Sequence, residues 1–171
     1  MTEVVPFSWI VPLTDLPPAG REISRTLNEA ECALLAKHAG IEAVSALAAK
    51  GQVKPWANGI EVEVSFIADV VQACVVTLEP VPDHIKGAFA RRYLPGLDEA
   101  ESGAIDLSPD EQEPPEPLVG DAIDLGPTLA EELILALNPY PRAPGAAVQE
   151  QAHDTAGASP FAVLERLKPK S

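Results

Sequence analysis

The sequence predicts an α+β fold in which long, twisted antiparallel β-strands form a barrel-like sheet, accompanied by two to three helices. The first observation is an apolar–polar alternation over residues 60–71, the pattern of a strand with one buried face. The second is the Asn58-Gly59 dipeptide just before it, a strong β-hairpin signal. The third is another alternation over residues 84–93. Strands of this length twist or bend strongly, so we expect a coiled sheet.

The N-terminal part of the chain predicts two strands and one helix. A weak alternation over residues 3–16 indicates an opening strand, and residues 21–27 indicate a second, short one. Asn28 and Glu31 have the spacing of a capping box, which satisfies two backbone N–H groups at the start of a helix. We expect that helix to end at Gly40, because glycine readily takes the left-handed conformation that closes a helix.

Residues 41–56 are ambiguous from composition alone. The alanine-rich run at 46–49 favours a helix by propensity. The limited length and the hairpin signal that follows favour a strand. We therefore predict a strand that pairs with residues 60–71.

Residues 72–80 are interpreted as the corner at which the second long strand ends and the third begins. β-Branched and apolar residues continue up to Thr77, and Pro80 and Pro82 then remove backbone donors. A bend held between two strands is rigid enough to serve as a recognition surface. On residue types alone, a structural turn with one buried cysteine, Cys74, is the alternative interpretation.

The acidic charge of the chain is local. The formal net charge is −14, and residues 94–140 contain 12 acidic side chains and no lysine or arginine. Residues 97–120 are also rich in proline and poor in large apolar residues, which predicts a disordered loop within a single domain over residues 1–141. Phosphate contacts dominate nucleic-acid affinity, so nonspecific binding of RNA by the chain as a whole is expected to be weak. Its acidic segment suits a basic protein partner better.

A second helix is expected after the acidic loop. Leu129, Leu133 and Leu137 recur every four residues, which is the spacing of an amphipathic helix. Pro127 fits its first turn, and Asn138-Pro139 ends it.

The C-terminal residues predict a linker followed by an anchor. Residues 142–158 are rich in alanine, glycine and glutamine, which indicates a flexible linker. Residues 159–168 begin with a capping serine and a proline, which predicts a short helical turn. The side chains expected to anchor this turn on the domain are Pro160, Phe161 and Leu164.

The composition argues against several classes of protein. Cys32 and Cys74 lie far apart without a C-x-x-C spacing, so we expect neither a disulfide framework nor a zinc site built from cysteines. No metal and no cofactor are predicted. The N-terminus lacks the pattern of a signal peptide, and no apolar run is long enough to span a bilayer. These observations predict a soluble, cytoplasmic protein without a membrane or DNA partner.

Two sets of charged residues are candidates for contact with a partner. The candidates for RNA contact are Lys86, Arg91 and Arg92, together with Arg21, Arg25, Lys50 and Lys54 if the fold gathers them. The candidates for contact with a basic protein are Asp121, Asp124, Glu131 and Glu132. Solvated strand charges and a solubilising linker are the respective alternatives.

An enzyme is the alternative class, specifically a metal-dependent nuclease acting on RNA precursors through magnesium held by the same four carboxylates. The sequence contains no phosphate-binding glycine loop, and its three histidines are scattered. Paired glutamates at a helix N-terminus more often interact with the helix dipole. We therefore predict no enzymatic activity. A redox role for Cys74 is not expected either, because no nearby basic residue would lower its thiol pKa.

Three segments occur in a distinctive order. They are residues 72–80, from Gln72 to Pro80, residues 121–137 with their paired glutamates, and residues 159–164, from Ser159 to Leu164. This order, with an acidic proline-rich spacer, resembles the YceD family of large ribosomal RNA subunit accumulation proteins in its alphaproteobacterial form, over about residues 6–168. The resemblance implies a non-enzymatic role in ribosome biogenesis, with large-subunit ribosomal RNA or a basic ribosomal protein as the partner.

The resemblance also singles out residues at the corner. The motif residues that it implies for docking are Gln72, Cys74, Thr77, Leu78, Glu79 and Pro80. Many family members carry a second cysteine three positions after the first, and this chain has Thr77 there. A site that needs two neighbouring thiolates is therefore not available to this chain.

Overall fold

The computed structural model of the protein describes residues 6–97 and 114–147. These residues contain seven strands and two helices. The strands are β1 (Ile10–Pro12), β2 (Arg21–Thr26), β3 (Ala43–Trp56), β4 (Gly59–Ala73), β5 (Pro80–Pro95), β6 (Glu116–Leu118) and β7 (Ala122–Asp124). The helices are α1 (Glu29–Ala39) and α2 (Gly126–Ala136).

Five strands form one mixed sheet in the order β2-β3-β4-β5-β6. The pairs from β2 to β5 are antiparallel, and β6 joins β5 in parallel orientation. A separate antiparallel pair is formed by β1 and β7. The α+β class is confirmed, but the described strands make an open sheet with β2 and β6 at its edges, so a barrel-like closure is not confirmed. Of the strand expected over residues 3–16, residues 6–16 are described, and only Ile10–Pro12 of these forms a strand, β1.

One face of the sheet is the core. Along β4 the inward side chains are all buried, from Ile60 to Val70, while most of the intervening residues are exposed. Helix α1 packs against β3 through the fully buried Leu35, and α2 packs against β5 through Leu129 and Leu133. The opposite face of β2 to β5 stays in contact with solvent, which is the usual arrangement for an antiparallel sheet.

Helix α1 is closed at both ends by local chemistry. The Asn28 side chain accepts the backbone N–H of Glu31, and the Glu31 carboxylate accepts the backbone N–H of Asn28, each at 3.0 Å. Gly40 takes a left-handed conformation with φ of 67° and donates to the last turn. The predicted capping box and C-terminal glycine are therefore confirmed.

The β3–β4 hairpin is present, but its turn lies one residue earlier than predicted. Trp56 pairs with Gly59, so Ala57 and Asn58 form the turn, and Ala57 adopts a φ of 51°. Gly59 is needed for another reason: a Cβ there would lie 1.9 Å from the carbonyl oxygen of Tyr93 on the neighbouring strand. The glycine therefore permits close approach of β5 rather than the turn itself.

Strand β5 begins earlier than the sequence indicated. Pro80 and Pro82 were expected to belong to the corner, yet they pair with Ala73 and Val71 of β4. The far side of β5 has a strand partner, β6, only at Tyr93–Pro95. Prolines are tolerated on such an uncovered edge because the missing N–H groups can point away from the neighbouring strand.

The acidic loop expected over residues 97–120 is described only in part. Residues 114–120 contain β6, which the sequence did not predict. Residues 98–113 lie outside the described part, and so do most of the predicted linker and the whole predicted anchor at 159–168. Neither of the two described helices has the length and apolar character needed to cross a membrane.

Candidate docking site at the Cys74 corner

Within the corner, residues 74–79 form a compact turn between β4 and β5. The backbone N–H of Cys74 donates to the carbonyl oxygen of Glu79 at 2.8 Å, and the N–H of Leu78 donates to the carbonyl oxygen of Cys74 at 2.9 Å. Leu78 adopts a left-handed φ of 62° with its side chain 75% exposed. A non-glycine residue in this region is strained by roughly 1–2 kcal/mol, so the turn is imposed by its surroundings.

The Cys74 sulfur is buried at the centre of this turn. Backbone N–H groups point at it from Val76 at 3.5 Å, from Thr77 at 3.4 Å and from Ala143 at 3.3 Å. The Thr77 side chain and then the Ala143 N–H contribute most to lowering the pKa of the Cys74 thiol, to about 6. Hydrogen bonds to a thiolate favour its charged form, so these donors replace the basic residue that the sequence lacks.

The chain that follows α2 closes over the corner. The backbone N–H of Val75 donates to the carbonyl oxygen of Pro141 at 2.9 Å. The Gln72 side-chain nitrogen donates to the carbonyl oxygen of Asn138 at 3.0 Å. The first motif segment therefore contacts the chain immediately after the second one, across 66 residues of sequence.

The structure divides the motif residues of the corner into two groups. Gln72 and Cys74 are buried, and the side chains of both make hydrogen bonds with the chain that follows α2. The exposed members, which remain available to a partner, are Thr77, Leu78, Glu79 and Pro80.

A groove of about 730 Å³ lies beside the corner, between the C-terminal ends of α1 and α2. Its walls include Val75, which is 48% exposed, and Leu135, which is 78% exposed. Among the described residues, Glu42 is the one ionisable side chain that lines it. Gln72 forms part of its floor, with its side-chain oxygen buried and without a hydrogen-bond partner in the part of the chain that the structure describes.

Sequence reasoning did not identify this groove. Ala143 and Asn138 act through their backbone atoms, for which residue type gives no signal. Leu135 did offer one, because it lies off the stripe formed by Leu129 and Leu133 and so leaves a large apolar side chain on the outer side of α2.

The predicted RNA-contact residues do not form one surface. Lys86 and Arg92 lie on the solvent-facing side of the sheet, as the alternation predicted, whereas Arg91 faces α2. Arg92 contacts the Glu61 carboxylate at 2.8 Å and stacks 4.7 Å from the Trp56 ring. Of the further basic residues, Lys50 and Lys54 share that face, and Arg21 and Arg25 lie on the other side of β2.

The predicted acidic contact residues are also separated. Asp124 accepts the backbone N–H groups of Trp9 at 2.7 Å and Gly126 at 2.9 Å, so it joins the N-terminus to α2. Glu132 contacts Arg91 at 2.6 Å. Asp121 and Glu131 are exposed. Within residues 6–97 and 114–147 no group of three or more His, Cys, Asp or Glu side chains is arranged to hold a metal ion.

Comparison with known protein families gives a match. No curated protein and no solved structure matches the chain. A family model described as the large ribosomal RNA subunit accumulation protein YceD matches residues 62–168, which is more than half of the chain. The matched region starts in β4 and includes the corner, α2 and the C-terminal segment. On this match, the chain belongs to the YceD family.

Proposed function

We propose that this protein is a non-enzymatic ribosome biogenesis factor that supports accumulation of large-subunit ribosomal RNA by binding a basic ribosomal protein. Membership of the YceD family supports a role connected with that RNA. The strongly negative charge of the chain supports a basic partner. We also propose a cytoplasmic location, where ribosomal RNA accumulates.

The observation that carries the choice of partner is the pairing of the basic side chains. Arg91, Arg92 and Lys54 each have a carboxylate within 3.0 Å. A cation already paired in this way gains less from a phosphate, because the existing ion pair has to be given up. The candidate RNA surface is therefore weak, and a positively charged protein is the better electrostatic match.

Direct binding of ribosomal RNA is the second candidate, favoured by two residues on the solvent-facing side of the sheet. Lys50 and Lys86 project from the same face as the Trp56–Arg92 stack and have no carboxylate within ion-pair distance among the described residues. An aromatic ring beside cations is a feature of surfaces that bind single-stranded nucleic acid.

Co-purification from cells with and without nuclease treatment separates the two candidates. A basic large-subunit protein that remains bound after nuclease supports the proposal. Loss of all partners after nuclease, with steep salt dependence of binding to purified large-subunit RNA, contradicts it. In that case Lys50→Ala and Lys86→Ala should each reduce the salt slope by about one unit.

The proposal includes no catalytic step. Purified protein is expected to leave an RNA precursor intact in the presence of magnesium. Magnesium-dependent cleavage that is lost in Glu131→Gln would contradict it.

A further inference from the structure

The groove beside the corner contains a buried acceptor that its own chain does not satisfy. Gln72 is 7% exposed, and its side-chain nitrogen already donates to the Asn138 carbonyl oxygen at 3.0 Å. That contact fixes the amide orientation, because the reverse one would bring two oxygens together. The remaining oxygen has no donor in the part of the chain that the structure describes. Such an atom destabilises the protein until an N–H or O–H donor reaches it.

The electrostatics of the groove favour a positively charged occupant. The C-terminal ends of both α1 and α2 line it, and the C-terminus of a helix carries partial negative charge. The last turn of α1 carries Lys37 and His38, which offset this charge, so the negative end that matters is that of α2, whose last turn holds no basic residue. Within residues 6–97 and 114–147 the one ionisable lining residue is Glu42, which is exposed. A phosphate group would be repelled here, whereas a lysine or arginine would be attracted.

The walls add an apolar requirement. Val75 and Leu135 both line the groove and both keep aliphatic side chains exposed. Apolar side chains that stay exposed around a concave site are a common feature of protein interaction sites. The groove therefore calls for an occupant with an apolar side chain, a hydrogen-bond donor and a positive charge close together.

We propose that this groove, defined by Val75, Leu135, Glu42 and Gln72, binds a short segment of a basic protein. An apolar side chain of the segment packs between Val75 and Leu135. The Gln72 side-chain oxygen exposes less than 1 Å², so it accepts a backbone N–H of the segment only once that side chain turns toward the groove. A lysine or arginine of the segment lies beside Glu42 and the α2 terminus. This inference rests on the proposed function and names the surface through which the basic partner is held.

The test uses the full chain and overlapping 15-residue synthetic peptides that tile the proteins of the large ribosomal subunit. Peptide affinity is measured by fluorescence anisotropy. Leu135→Ser and Glu42→Lys are each expected to weaken the tightest peptide at least tenfold. Both side chains are exposed, so circular dichroism and the melting temperature should stay close to those of the parent protein.

Matched controls come from exposed residues outside the groove. Leu34→Ser on α1 and Glu22→Lys on β2 make the same chemical changes at positions that do not line it. Each is expected to change the affinity less than twofold. In ¹⁵N-labelled protein, the Gln72 side-chain amide resonances should shift when the peptide is added and stay unchanged in the Leu135→Ser variant.

The contrary outcomes are distinct. Peptides that bind all four variants equally overturn the groove and leave the proposed function standing. Absence of binding by any peptide or large-subunit protein, with binding of ribosomal RNA, overturns both. A synthetic peptide of residues 157–171 of this chain that binds with the same dependence on Leu135 and Glu42 overturns the choice of occupant. If the chain associates with itself and Leu135→Ser abolishes that association, the choice of occupant is overturned as well.

Discussion

The Cys74 sulfur accepts the backbone N–H of Ala143 at 3.3 Å, across 69 residues of sequence. This contact joins the turn between the two longest strands to the chain that follows α2. The neighbours of Cys74 in the sequence are apolar, yet three backbone N–H groups point at its sulfur, as they would at a bound anion. The ionisation of Cys74 and the closure of the corner are therefore coupled.

The first prediction concerns pH. The pKa of Cys74 lies at about 6 in the folded protein, below its ordinary value of 9.0, so between these pH values the unfolded chain binds a proton that the folded chain does not. The contribution of Cys74 to stability is then fully present above pH 9 and is lost as the pH falls through 6. Urea unfolding of the parent protein and of Cys74→Ala should show a stability difference that grows from pH 6 to pH 9.

Cys32 provides the control for that experiment. Burial and the neighbouring Glu31 raise the pKa of the Cys32 thiol, so its contribution is present below the unfolded pKa and is lost only at higher pH. The stability difference between the parent and Cys32→Ala should stay level from pH 6 to pH 8. A Cys74→Ala difference that is equally level over that range contradicts the prediction.

The second prediction isolates Thr77. Its hydroxyl is the largest contributor to the lowered pKa of Cys74, and it also contacts the Glu79 carboxylate at 3.0 Å. Because the hydroxyl has one proton, it serves one of these acceptors at a time. In a Cys32→Ala background, Thr77→Val should raise the pKa of Cys74, measured from thiolate absorbance at 240 nm. Thr26→Val, at an exposed position on β2, should leave it unchanged.

The sequence was informative wherever the determining contact is local. The Asn28–Glu31 cap and the alternation along β4 both depend on residues within a few positions of each other, and both are confirmed. The thiolate donors and the groove depend on backbone atoms brought together from distant segments. Residue type at Ala143 carries no information about them.

Strand β6 was missed for a related reason. Glu116–Leu118 contains a proline and a charge, neither of which favours a strand. Its conformation comes from pairing with the exposed edge of β5 at Tyr93–Pro95. The edge, rather than the segment, determines the structure there.

The third prediction concerns the N-terminus of α1. Asn28→Ala removes the acceptor for the Glu31 N–H and should lower the free energy of unfolding by about 1 kcal/mol. Urea denaturation gives this value from the shift of the midpoint. Glu29→Ala, in the same exposed turn but outside the capping box, is the control and should cost less. Equal losses in the two variants would mean that the cap contributes nothing of its own.

The fourth prediction concerns Gly87, which lies opposite Phe66 on the inner face of the sheet. A Cβ at this position would lie 2.3 Å from the Phe66 ring, so Gly87→Ala forces a buried ring to move. We expect a loss of about 1–3 kcal/mol in thermal or urea unfolding. In a Phe66→Leu background the same substitution should cost less, since the far end of the ring is absent. Equal costs in both backgrounds would contradict the proposed clash.

The fifth prediction separates two neighbouring arginines by the elements that they join. The Arg91 guanidinium contacts Glu132 of α2 at 2.6 Å and Glu116 of β6 at 3.5 Å, while Arg92 contacts Glu61 of β4. Arg91→Ala should therefore cost about 1.5–3 kcal/mol and increase amide hydrogen exchange in β6 and α2. Arg92→Ala, the matched control, removes the contact with Glu61 and should raise exchange in β6 and α2 less than Arg91→Ala does. If the two variants raise exchange in β6 equally, Arg91 does not connect these elements, and its side chain would again be a candidate for contact with RNA.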